Sequence, residues 1–98
     1  MARKQTSMLP GPVKSDSYDL RINTDGRNWQ VRACLQSGDI YCAEMSEPTF
    51  TEFCEQNKIS FPAMQDAFAD SSFHGPMVVD DVQLTQDQLR KFGFVNTH

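Results

Sequence analysis

Residues Tyr18 to Leu35 read Y-D-L-R-I-N-T-D-G-R-N-W-Q-V-R-A-C-L, and the reading of this stretch decides the fold. Tyr18, Leu20 and Ile22 alternate with polar Asp19, Arg21 and Asn23, while Trp29, Val31, Ala33 and Leu35 alternate with Gln30, Arg32 and Cys34. A period of two belongs to strands that bury one face and wet the other. Asp25-Gly26 between the two runs supplies the positive-φ positions of a tight hairpin turn. Closing the hairpin there sets Ile22 opposite Trp29, Leu20 opposite Val31 and Tyr18 opposite Ala33, with Asp19 opposite Arg32 on the outer face.

The next turn, Gln36-Ser37-Gly38, fixes a third strand by its length. A two-residue loop would turn Glu44 toward the apolar face. A three-residue loop with Gly38 left-handed instead puts Tyr41, Ala43 and Met45 there and sends Glu44 out. The expectation is a three-stranded antiparallel meander over residues 18–45, with one apolar face waiting for a cover.

Ser46 to Asp70 supplies that cover. Phe50, Phe53 and Cys54 recur at helical spacing, Ile59 marks a break, and Phe61, Met64, Ala67 and Phe68 resume the period. Ser46 with Pro48, or Thr49 with Glu52, starts a helix running to about Asn57; Ser60 with Pro62 starts a second ending near Asp70. Met77 to Leu84 reads as a short strand or hairpin interrupted at Asp80-Asp81. Thr85 with Gln88 forms the capping box of a closing helix that Gly93 ends, with Phe94 placed to touch Leu89. The fold class is therefore α+β in the order βββααβα, the sheet covered on one face by a helical pair.

Ninety-eight residues with 39% hydrophobic side chains suit a single small domain, expected over 18–98, after a disordered arm over 1–17 that carries two prolines around a glycine and no periodicity. No apolar run approaches the ~20 residues of a membrane-spanning helix, and no secretory leader precedes the domain, so the expected location is the cytoplasm. Three cysteines without close pairing fit a reducing compartment better than a disulfide framework. Charge is uneven. Residues 1–32 hold Arg3, Lys4, Lys14, Arg21, Arg27 and Arg32 against three acids, whereas residues 33–98 hold three bases against ten acids, leaving +3 and −7. Such halves suit a basic arm that seeks anions and an acidic body that seeks a cationic partner.

The stretch Phe50 to Phe68 resembles the helix-turn-helix of phage and bacterial repressors. Phe53 and Cys54 take the hydrophobe and small residue of its first helix, while Ile59 and Met64 take the hydrophobes after the turn and within the second helix. Lys58 stands where the family has a glycine. The resemblance implies a recognition helix whose groove-facing positions are Phe61, Pro62, Gln65, Asp66 and Ala69. No arginine or lysine is among them, and Asp66 and Asp70 would repel phosphate.

Catalytic groups are sparse. His74 sits in a glycine-proline loop and His98 at the terminus, neither in a nucleophile, zinc or phosphate-loop pattern. Cys34 and Cys42 fall on the outer face of the meander and Cys54 on the buried stripe of a helix, so they do not converge on a metal. No catalytic, cofactor-binding or metal site is expected. The preferred reading is a non-enzymatic regulatory or inhibitory protein of the kind phages and mobile elements encode, acting by binding another protein through Asp66, Asp70, Glu52 and Glu55. The alternative is a helix-turn-helix transcriptional regulator that meets nucleic acid through Arg3, Lys4, Lys14, Arg21, Arg27 and Arg32. In that case the outer face of the hairpin, with Arg21 and Arg32, touches phosphate.

Overall fold

A computed structural model describes residues 15–97. The basic residues Arg3, Lys4 and Lys14, the expected arm before residue 15, and His98 lie outside them. The described residues form an α+β fold: β1 (Ser15–Thr24), β2 (Asn28–Cys34), β3 (Ile40–Ser46), α1 (Glu47–Gln56), α2 (Phe61–Ala69), β4 (Met77–Thr85), α3 (Gln86–Lys91) and β5 (Val95–Asn96). The expected meander is the centre of a larger antiparallel sheet, ordered β4-β1-β2-β3-β5. β1 starts at Ser15, three residues earlier than expected, because β4 lies along it and pairs Ser15 with Thr85 and Ser17 with Gln83.

The first hairpin has the expected faces in a different register. Ile22 pairs with Val31, Leu20 with Ala33 and Thr24 with Trp29, so each partner is two residues further on than closure at Asp25-Gly26 gives. A slip of two preserves side-chain parity, and the apolar set therefore stays on one face. Side chains cause the slip. The Asp25 carboxylate accepts hydrogen bonds from the Arg27 and Asn28 N–H groups, each at 2.8 Å. The Thr24 hydroxyl accepts from the Gly26 N–H at 3.1 Å and donates to the Asn28 carbonyl at 2.8 Å. Asp25 thus acts as the residue before the turn, as aspartates commonly do, and the tip moves to Gly26-Arg27 with Gly26 at φ +94°. The Asn28 and Arg27 N–H groups hold the Asp25 carboxyl below its ordinary pKa.

The second hairpin matches expectation. Leu35 and Asp39 flank the three-residue loop, Gly38 has φ +102°, and Ala33 pairs with Tyr41 and Trp29 with Met45. In β4 the interruption at Asp80-Asp81 is a bulge: register shifts between Tyr18 and Leu20, and Asp81 adopts φ +62°.

Both helices of the pair cover the apolar face. Ser60 caps α2 by accepting from the Ala63 N–H, and Thr85 with Gln88 forms the capping box of α3. Two helices end in the same motif. The Phe94 N–H reaches the Leu89 carbonyl at 2.8 Å beyond α3, and the Ile59 N–H reaches the Cys54 carbonyl at 2.8 Å beyond α1. At the end of α1 the left-handed position belongs to Lys58, at φ +59°, in place of the usual glycine. The core joins Tyr18, Leu20, Ile22, Trp29, Val31 and Met45 from the sheet to Phe50, Phe53, Cys54, Met64, Leu89 and Phe92 from the helices. Trp29 stacks on Phe50 with centroids 4.5 Å apart and planes 7° from parallel, and meets the edges of Phe61 and Phe68.

A Cβ on Gly26 would meet nothing within 4 Å, so only backbone conformation resists a side chain there. Gly26→Val should destabilise the domain by about 1 kcal/mol or more, because a β-branched residue strongly disfavours positive φ. An unchanged denaturant midpoint would show that the turn lies elsewhere.

Candidate binding face on the open side of the sheet

The helices cover one side of the sheet, and the register defines what the other side presents. Residues directly opposite in an antiparallel pair point the same way. Arg21 pairs with Arg32 and Val78, Arg32 with Cys42, and Cys42 with Val95. One row therefore crosses all five strands: Val78, Arg21, Arg32, Cys42, Val95. The two valines are the exposed large hydrophobic residues among those described, at 52% and 63%. On one side of this row stand Asn23, Gln30 and Glu44; on the other stand Asp19 and Cys34.

Arg21, Gln30, Arg32, Cys42, Pro76 and Val95 are among the residues that line a shallow concavity of about 630 Å³, and Val78 stands outside its lining. Register places Arg32 opposite Arg21 and not, as expected, opposite Asp19, whose partner is Cys34. Both guanidinium groups are exposed, and neither has an ion pair or hydrogen bond among the described residues. The nearby acids are engaged elsewhere. Glu44 accepts from Gln30 Nε2 at 3.1 Å and Asn28 Nδ2 at 3.4 Å, and Asp19 accepts from the Asp81 N–H at 3.2 Å. Like charges directly opposite one another cost stability.

The acidic residues expected to bind a protein are spread over the helical layer. Glu52 accepts from Gln56 and forms an ion pair with Lys91 at 2.6 Å, tying α1 to α3. Asp70 caps its own loop: the Ser72 N–H and hydroxyl donate to its carboxylate at 2.9 and 2.8 Å, and they hold its pKa down. Glu55 and Asp66 are exposed and have no ion pair among the described residues. Of the positions implied to face a DNA groove, Pro62, Gln65, Asp66 and Ala69 are exposed, whereas Phe61 is half-buried against Trp29 and Phe50. Arg27 is exposed at the hairpin tip, beyond the row that holds Arg21 and Arg32.

No group of three or more His, Cys, Asp or Glu side chains among the described residues is placed to share a metal ion. No helix among them is long and apolar enough to cross a membrane. The buried Tyr18 hydroxyl has no hydrogen-bond partner among the described residues, and burial, then the Asp16 carboxylate, raises its pKa; its ring lies on the covered face, in edge contact with Tyr41. Neither family models, curated proteins nor solved structures give a match to the chain.

The pairing of arginines was hidden in the sequence because it depends on where the turn closes. The signal that finds it is Thr24 followed by Asp25, two polar side chains able to bond the backbone of one turn as far as Asn28. The thiols report the two faces directly. All three are free, Cys34 and Cys42 are partly accessible, and burial pushes the Cys54 thiol up to about 12. An aromatic disulfide reagent at neutral pH should label two thiols in the native protein and the third only on unfolding, since the thiolate is the reactive form. Labelling of Cys54 at the rate of the others would show that α1 does not cover the sheet.

Proposed function

We propose that the protein is a non-enzymatic regulator that acts by binding another protein, and that it binds through the open face of its sheet. The observation that supports this reading is the exposed row in which two valines flank two arginines that have no ion pair among the described residues. Apolar side chains beside arginine suit a protein interface, where arginine is enriched and apolar contact excludes water. The helical layer offers less, since Glu52 and Asp70 are already used within the fold. A helix-turn-helix regulator ranks behind it, because the exposed side of α2 carries Asp66 with Asp70 at its end and no cation.

The test compares variants of the full chain in affinity capture from its source cells, with and without nuclease. Val78→Ser with Val95→Ser should reduce the captured protein at least about fivefold, a loss of ~1 kcal/mol, while Asp66→Lys with Asp70→Lys leaves it unchanged. Release by nuclease, or loss only with the aspartate variants, would contradict the proposal.

A further inference from the structure

We infer that the partner segment seated on this face is acidic, with two carboxylates held by Arg21 and Arg32; this rests on the reading of the open face as the binding surface. A guanidinium presents a planar fork of donors that matches a carboxylate in bidentate fashion. Here two such forks stand on directly opposite residues in the lining of a concavity, with no acceptor among the described residues. Asp19 and Glu44 border them, but Asp19 Oδ1 accepts from the Asp81 N–H and Glu44 Oε2 from side-chain amides, and neither acid forms an ion pair with an arginine among the described residues. The unneutralised pair is unfavourable in the free protein, and an acidic ligand relieves that repulsion on binding.

Spacing favours two carboxylates over one larger anion. Directly opposite residues in a sheet have Cβ atoms about 5 Å apart. Acidic residues four apart on a helix have Cβ atoms ~5–6 Å apart, so each meets one arginine. Val78 and Val95 lie four strand spacings apart, about 19 Å, the length of ~13 helical residues at 1.5 Å rise, so a helix running along the row sets glutamates four apart over the two arginines and its ends near the two valines. Nucleic acid fits less well: no aromatic side chain lines the concavity for a base to stack on, and the chain carries a net charge of −4. A second copy stacked face to face would set arginine pair against arginine pair.

The experiment is an NMR titration of the labelled full chain with a helical peptide of about 14 residues, ~21 Å long at 1.5 Å rise and so long enough to span the row, carrying glutamates four apart between leucines. Controls are the same peptide with glutamine at each glutamate, and an oligothymidylate of similar length. The glutamate peptide should shift the amides of Arg21, Gln30, Arg32 and Cys42, and the glutamine peptide should not. Arg21→Gln and Arg32→Gln should each weaken binding about tenfold, as loss of a charge-assisted pair does, with Lys58→Gln unchanged and thermal melts confirming that each variant is folded. Three results overturn the inference: shifts centred on Lys58, Arg90 or Lys91, equal binding of the glutamine peptide, or no shift at roughly millimolar peptide. Preference for the oligothymidylate at this face also overturns it in favour of phosphate. If the valine variants lose the cellular partner while the acidic peptide fails to bind, the surface stands and only its acidic occupant falls.

Discussion

Trp29 stacked on Phe50 is the contact on which the two layers depend. Trp29 comes from the central strand β2, and its ring takes Phe50 of α1 on one face and the edges of Phe61 and Phe68 of α2. A large aromatic contributes ~2–3 kcal/mol through burial, with more from favourable ring geometry. α2 needs this contact most, since Met64 is its only fully buried residue. At the other end of α1, Phe53 meets Phe92 and Phe94 and joins the closing helix to the same core. Every helix therefore converges on one side of the sheet.

That convergence leaves the opposite side without a covering element among the described residues, and its composition differs from that of many solvated sheet faces. Exposed faces of antiparallel sheets often carry opposite charges across strands, which mildly stabilise the pairing. Here the central pair is Arg21 with Arg32, while the nearest acids make bonds elsewhere. Local rules of sequence and structure tend to fail where a surface serves something other than folding. The flanking exposed valines give the same row an apolar component that solvation alone does not require.

Much of this architecture was legible in the sequence. Period-two alternation assigned faces correctly, and Ser60, Thr85, Gln88 and Gly93 marked helix ends where the structure has them. The three-residue loop at Gly38 followed from the need to keep Glu44 out of the core. Register in the first hairpin did not follow, because parity cannot distinguish closures two residues apart, and the choice fell to side-chain hydrogen bonds of Thr24 and Asp25. The partnership of β4 with β1 and the two residues of β5 are non-local pairings without a local signal. The candidate site was legible only in part: Arg21 and Arg32 were read on the outer face, but Arg32 was matched with Asp19, and the valine flanks depend on those non-local pairings.

The central claim is that Arg21 stands directly opposite Arg32 on an uncovered face, and a double-mutant cycle in stability tests it most directly. Arg21→Glu and Arg32→Glu should each stabilise the protein by a few tenths of a kcal/mol by creating an opposite-charge pair, and the double variant should lose that gain, with a coupling of about 0.5–1 kcal/mol that shrinks in high salt. Zero coupling, or destabilisation by Arg32→Glu alone as expected if it faced Asp19, would contradict the register and the binding face built on it.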